Sequence, residues 1–172
     1  EPLLRADSPS TERALVVRSP SIPIDLPDFA LNPFSVRLFN AAYFKAHRES
    51  DEPSRKPIAP FLYPLDGMHG WNHLYGRRGF FQFQSVIPDA EAEKGVRRLV
   101  EEIARSGAGS FLNVLKTLGG EGRGLLSFPM RGYTLAMDFP NAHGVPELLR
   151  RLERITLEHG GRVYLGKDAL LS

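Results

Sequence analysis

The architecture of this chain can be read from one run of ten residues, GFFQFQSVIP at positions 79–88. Residues two apart on an extended strand share a face, so this run has two different sides. The apolar side, which predicts a buried core face, consists of Phe81, Phe83 and Ile87. Gln82 and Gln84 lie on the other side, and a buried amide without a hydrogen-bond partner costs about 1–3 kcal/mol. The two glutamines are therefore either bonded within the protein or available to a polar ligand.

Composition is typical of a globular protein and excludes several function classes. The chain has 172 residues, with 42% apolar and 24% charged residues, which is enough for one domain with a core. Its 22 Lys+Arg nearly balance 20 Asp+Glu, so no polybasic surface is expected. The lack of cysteine excludes disulfides, thiolate metal sites and a cysteine nucleophile. The chain starts without methionine and stops soon after its last predicted strand, so we expect a fragment of a longer polypeptide.

The order of predicted elements indicates the fold class. Residues 1–60 are rich in proline and predict an irregular arm that contains one helix over 35–47. Beyond residue 79 the pattern predicts strands at 79–87, 110–117, 132–139 and 162–165, with one helix from Asp89 to Gly107 and another from Pro146 to Gly160. This β-α-β-β-α-β order predicts an α+β, ferredoxin-like fold. Its antiparallel sheet should have the strand order 4-1-3-2 and both helices on one face.

The sheet face opposite the helices is predicted to have a polar centre. Strands 1 and 3 are neighbours in this order, so four side chains should cluster there: Gln82, Gln84, Thr134 and Ala136. Lys116 shares its parity with Leu112 and Val114, and Lys167 follows the fourth strand. Polar positions on a strand most often lie on a face that is exposed to solvent. The scarcity of charges among them favours instead a face that lies against a ligand or another domain.

Three other kinds of site have little support. His69 and His73 would form a metal pair only on a regular helix, which Gly67 and Gly70 disfavour, so no metal is expected. The glycine-rich loop 119–124 follows a strand but opens no helix, which indicates a hairpin connection and not a phosphate site. RNA-binding sheets of this kind display aromatic side chains on the open face, whereas the aromatic residues of strand 1 have the parity of the core, so no nucleic-acid partner is expected.

A set of motifs points to a known family. In chain order these are YPLDG at 63–67, GFFQFQ at 79–84, SFLNVLK at 110–116, LSFP at 126–129, DFP at 138–140 and GGRVYLGKD at 160–168. Together they resemble FAD-dependent oxidoreductases of the vanillyl-alcohol-oxidase type, and within that family the members that oxidise a polyprenyl-phosphoryl ribose. The resemblance implies that residues 61–172 form a substrate-binding (cap) domain and that the FAD-binding domain is not in this chain. The implied reaction is oxidation of a sugar hydroxyl by hydride transfer to FAD, and the fragment alone should be inactive.

The resemblance also implies partners and a location. The substrate would be a sugar or a polyprenyl-phosphoryl sugar of the kind that serves as a cell-wall precursor, and a short-chain dehydrogenase-type reductase would act on the product. A lipid substrate implies a cytoplasmic protein or one peripheral to the inner face of the membrane, with the periplasm as a further possibility. The alternative is a non-catalytic ligand-binding or protein-interaction module of the same fold.

Site residues follow from the resemblance by position. Lys167 is the implied catalytic residue and, with Tyr164, approaches the flavin, where a cation would stabilise the negative charge of the reduced ring. The alternative for Lys167 is a surface lysine at a strand end. The implied substrate-binding residues are Gln82, Gln84, Leu112, Val114, Lys116, Thr134, Ala136, Leu62 and Leu65. Mycobacterial members carry asparagine, cysteine and tyrosine where this chain has Thr134, Ala136 and Leu62, so a different sugar remains an alternative.

Overall fold

A four-stranded antiparallel sheet forms the centre of the computed structural model, which describes residues 21–27, 30–46, 69–108 and 112–167. The strands are β1 (Phe80–Pro88), β2 (Asn113–Leu118), β3 (Gly132–Pro140) and β4 (Arg162–Val163). Their order across the sheet is β2-β3-β1-β4, which is the expected order 4-1-3-2 read from the opposite edge. The two longest strands are therefore central, with β1 between β3 and β4.

Within these described ranges three α-helices accompany the sheet: α1 (Pro33–Ala46), α2 (Ala92–Ser106) and α3 (Val145–Glu158). Gly107 ends α2 in the left-handed region with φ 68°, as expected of a glycine there. The prediction that Asp89 caps α2 is wrong, because a single 3-10 turn over Asp89–Glu91 comes first. The carboxylate of Asp89 instead accepts a 2.9 Å hydrogen bond from Arg131 Nε.

The hydrophobic core lies between the sheet and the helices α2 and α3. The predicted core side of β1 is confirmed, since Phe83 and Ile87 are buried in one cluster and Phe81 is partly buried against it. Alternate residues of β3 and apolar residues of both helices complete the cluster: Leu135, Met137, Phe139, Leu99, Ile103, Val145, Leu148, Leu149, Leu152 and Ile155. Each such side chain contributes about 1.5–3 kcal/mol when it is fully buried. In the sequence, Val100 and Ala104 share the helical spacing of the apolar residues of α2, which predicts that they are buried. Both are exposed, because the buried stripe runs through Ala92, Gly95, Leu99 and Ile103.

Helix α1 differs from its prediction in burial. Its start is explained by Asn32, whose Oδ1 accepts hydrogen bonds from the backbone N–H groups of Phe34 and Ser35. Val36, Phe39 and Tyr43 have the spacing of one apolar helix face, which predicts burial for all three. Of these Val36 is buried, while Phe39 and Tyr43 are exposed and stack on each other at 6.0 Å. Across the described ranges, no helix is both long enough and apolar enough to cross a bilayer.

The fourth strand is shorter than predicted. Of the predicted residues 162–165, only Arg162 and Val163 pair with β1. The chain then turns into a 3-10 helix over Leu165–Lys167. The turn closes through a 3.0 Å hydrogen bond from the Lys167 N–H to the Tyr164 carbonyl. A Cβ atom at Gly166 would lie 2.8 Å from Tyr164 Cζ, so a larger residue there would displace the Tyr164 ring. This turn brings Lys167 back toward the sheet.

Candidate functional site

The two glutamines of β1 are hydrogen-bonded within the sheet. Gln82 Nε2 donates to Asp138 Oδ1 at 3.0 Å, and Gln84 Nε2 donates to Thr134 Oγ1 at 3.1 Å. The strand register pairs Gln82 with Asp138 and Gln84 with Ala136. The structure therefore brings together Gln82, Gln84, Thr134 and Ala136 on the face opposite the helices, as the sequence predicted.

The centre of this face is buried. Val86 and Thr134 have no exposed area, and Gln84 is 9% exposed. At one end Phe80 stacks on Tyr75 at 4.6 Å and lies 5.4 Å from the Trp71 ring. A fully solvated face, which the composition left open, is thus excluded where β1 meets β3.

Strand β2 supplies an exposed margin to the same face. Val114 pairs with Ala136 and Lys116 with Thr134, so both share the face of the glutamines. Both are exposed, whereas Leu112, just before the strand, is half-buried. The predicted substrate contacts Leu62 and Leu65 lie outside the described residues.

Tyr164 and Lys167 complete the other margin. The Tyr164 N–H donates to the Gln84 carbonyl at 2.8 Å, which places Tyr164 beside the second glutamine. Its ring lies 4.9 Å from the ring of Phe128. Lys167 is half-buried, and its ammonium acts electrostatically on the carboxylate of Asp138. The implied cation and the amide pair therefore lie close together.

Asp138 is the residue of this centre that sequence reasoning missed. It is 3% exposed, and its Oδ2 has no hydrogen-bond partner among the residues that the structure describes. Burial raises the pKa of Asp138, while the hydrogen bond from Gln82 and the charge of Lys167 oppose that rise. The signal was present in the sequence, since Asp138 is a carboxylate in an apolar strand with the parity of Thr134 and Ala136.

The glycine-rich connection between β2 and β3 is tied to the edge strand β4. Arg162 forms an ion pair with Glu121 and donates to the Ser127 carbonyl at 3.2 Å. Within the loop, the Gly122 N–H donates to Ser127 Oγ at 2.9 Å. The segment thus serves as the expected connection between two strands, and these bonds hold part of it against the margin that carries Tyr164.

The histidine pair does not come with further metal ligands in the described part of the chain. His73 lies on a 3-10 helix over Trp71–Tyr75, and its Nδ1 is 2.6 Å from Asp25 Oδ1. Among the described residues, no group of three or more potential ligands can hold a metal ion. His73 is therefore a hydrogen-bond partner that joins the segment around Asp25 to this turn.

Comparison with known proteins gives a relationship over part of the chain, although no family model matches it. It is 42% identical over 112 residues to decaprenylphosphoryl-β-D-ribose oxidase of Mycolicibacterium smegmatis, an alignment that covers 65% of this chain and 24% of that protein. It is 29% identical over 175 aligned positions to an uncharacterized protein in the mprA 5′ region of Streptomyces coelicolor, covering 98% of this chain and 46% of that one. The chain thus spans a quarter to a half of the length of these relatives, and it is related to an oxidase.

Proposed function

We propose that this chain is the substrate-binding (cap) part of a longer FAD-dependent oxidoreductase that oxidises a sugar hydroxyl by hydride transfer to FAD. In this proposal, residues 61–172 form the cap domain with a ferredoxin-like sheet, residues 1–60 are an arm, and another part of the polypeptide binds FAD. The single observation that carries the proposal is the 42% identity to an oxidase of a lipid-linked ribose. The matching motifs of the vanillyl-alcohol-oxidase type support it.

The geometry of the sheet face supports the same assignment. Gln82 and Gln84 each use Nε2 for a bond within the sheet, so each keeps a carbonyl oxygen that can accept a hydrogen bond. A sugar offers several O–H donors that suit such acceptors. The exposed margin at Val114 and Lys116 leaves room for a larger substrate at one side of the buried centre. A sugar or a polyprenyl-phosphoryl sugar fits this mixed surface.

Lys167 suits a place beside a flavin. Its half-buried ammonium lies near the amide pair and at the margin opposite β2, so a ring packed there would meet a cation. FAD, when bound, would accept the hydride from the carbon that bears the hydroxyl, and the hydroxyl proton would be released to water, which leaves a ketone. Lys167 would stabilise the resulting negative charge, Tyr164 would pack at the same margin, and the glutamines would hold the sugar. A short-chain dehydrogenase-type reductase would then take the keto sugar, at the cytoplasmic side of the membrane or in the periplasm.

Anaerobic flavin reduction in the parent protein tests this proposal. The purified parent should be yellow, and polyprenyl-phosphoryl sugars or simple glycosides should bleach its flavin. Lys167→Ala should slow bleaching about 100-fold, the typical effect of removing one preorganised charge stabiliser. Lys94→Ala, which changes an exposed lysine on α2, is the matched control and should bleach at the normal rate.

Two outcomes would contradict the assignment. A parent that carries flavin but bleaches equally fast with and without Lys167 would remove that lysine from the site. A parent that binds sugars and contains no flavin would favour the alternative, a non-catalytic ligand-binding module.

A further inference from the structure

The orientation of the Gln82 amide is fixed by the chemistry of its partner. When Asp138 is ionised its carboxylate can only accept hydrogen bonds, and Gln82 then has to present Nε2 to Oδ1, which is the orientation in the structure. The opposite end of the planar amide, Oε1, then has no partner within the described ranges. If the partner at position 138 could donate a hydrogen bond, the amide could turn by 180°. Oε1 would then accept that bond, and Nε2 would occupy the position that Oε1 has now.

We propose that Asp138 is a positioning residue that makes this site selective for hydroxyl donors, by holding the Gln82 carbonyl oxygen toward the ligand. The inference rests on the proposed function, in which the ligand is a sugar. Gln84 also presents Nε2 to its partner, Thr134 Oγ1, although a hydroxyl can donate as well as accept and does not fix the amide as Asp138 does. In this orientation the strand has two acceptor oxygens on residues whose Cα atoms are about 7 Å apart. Two hydroxyl groups of one sugar ring can meet such a pair.

A structural role alone does not account for Asp138. A buried carboxylate is costly, and an asparagine would fill the same volume without charge. Asp138 nevertheless keeps only one hydrogen bond, and Oδ2 has none in the described part of the chain. The charged group near it among these residues is Lys167, which favours the ionised form. Ionisation is the property that asparagine lacks, and it is what prevents the Gln82 amide from turning.

The first test needs no substrate. In the full chain labelled with ¹⁵N at glutamine side chains, the Gln82 Nε2 signal is assigned by its loss in Gln82→Met and followed from neutral to acidic pH. We expect this signal to shift as Asp138 takes up a proton, and the pH dependence to disappear in Asp138→Asn. Thr134→Val, the matched control, should leave the Gln82 signal unchanged. A Gln82 signal that does not respond to pH in the unmodified chain would overturn the proposal without any variant.

The second test measures selectivity in the parent protein. Flavin bleaching is compared for methyl β-D-ribofuranoside and for its monofluorinated analogues, in which fluorine replaces one hydroxyl and removes its donor. At one ring position, the unmodified protein should bleach about tenfold faster with the hydroxyl compound than with its fluorinated analogue. This ratio of rates is the usual effect of one hydrogen bond. In Asp138→Asn that ratio should fall to about one.

The outcomes separate the two proposals. A ratio that Asp138→Asn leaves unchanged at every position would overturn the role of Asp138. Failure of every sugar to bleach the flavin would count against the proposed function, while the pH dependence of the Gln82 signal would still decide the role of Asp138.

Discussion

At the scale of single residues, the site combines groups whose environments oppose each other. Gln82 and Gln84 lie in an apolar strand, and each donates a hydrogen bond from Nε2 to a neighbour on β3. The ionised form of Asp138 is destabilised in this arrangement, because its buried surroundings favour the neutral acid. Such a conflict between stability and charge is more typical of binding sites than of structural positions.

The pH dependence of stability follows from the shift of Asp138. Burial raises its pKa above the unfolded value, so its protonation stabilises the fold at pH values below the unfolded pKa. That contribution is lost as the pH rises through the folded pKa. Asp138→Asn, which cannot ionise, should therefore gain free energy of unfolding relative to the unmodified chain at about pH 7, and the gain should shrink toward about pH 4.

Urea unfolding of the full chain at several pH values measures this difference. Asp89→Asn is the control, since Asp89 is exposed and pairs with Arg131 at the surface. A difference between Asp138→Asn and the unmodified chain that stays constant across this pH range would show that the carboxylate is not destabilised by burial.

At the scale of elements, the alternation of residues along the strands predicted their buried faces better than helical periodicity predicted the buried face of α2. Strands β1 and β3 have opposite faces that differ sharply in polarity, so their core sides could be assigned from residues two apart. The stripe of α2 could not be assigned as well, because Val100 matches the helical spacing yet is 49% exposed. The position of Lys167 could not be predicted either. The chain leaves the strand in a 3-10 helix over Leu165–Lys167, and strand alternation carries no signal for such a turn.

The contact between α2 and β1 depends on a glycine inside a helix. A Cβ atom at Gly95 would lie 2.9 Å from Ile87 Cγ2 and 3.1 Å from His159 Cγ. Gly95→Ala should therefore lower the free energy of unfolding by about 1–3 kcal/mol, although alanine normally stabilises a helix by about 1 kcal/mol. Gly119→Ala is the control, because a Cβ atom there meets nothing within 4 Å. Equal or greater stability of Gly95→Ala in urea unfolding would mean that the helix does not lie this close to the strand.

At the scale of the whole molecule, the strand order and the polar centre were predictable for a common reason. Both follow from the β-α-β-β-α-β order of elements, which makes strands 1 and 3 neighbours and brings Gln84 to Thr134 across 50 residues of sequence. Burial of that centre was not predictable, because it depends on Phe80, Trp71 and Tyr75 packing at one end and on the turn at Lys167. The Asp25–His73 contact is another feature that only the three-dimensional structure reveals.

The molecule as a whole also limits what this chain can do by itself. The proposed site offers amides, a carboxylate and a cation on one sheet face, which can hold a sugar and one edge of a flavin. Tight binding of a dinucleotide also requires donors for its pyrophosphate, usually at a glycine-rich turn that opens a helix. The glycine-rich loop 119–124 instead leads to strand β3. The isolated chain should therefore bind FAD with a Kd weaker than about 0.1 mM, with a binding free energy below about 5.5 kcal/mol in magnitude.

Titration of FAD with the isolated chain, followed by flavin fluorescence and calorimetry, measures this affinity. Circular dichroism and the cooperativity of unfolding must first show that the chain is folded, so that weak binding cannot be attributed to loss of structure. The parent protein, treated identically, is the matched comparison and should retain FAD through gel filtration. The contrary result would be an isolated chain that purifies yellow or that quenches FAD fluorescence at micromolar concentration. Either observation would place the pyrophosphate contacts within these 172 residues and contradict the proposal that another part of the polypeptide binds FAD.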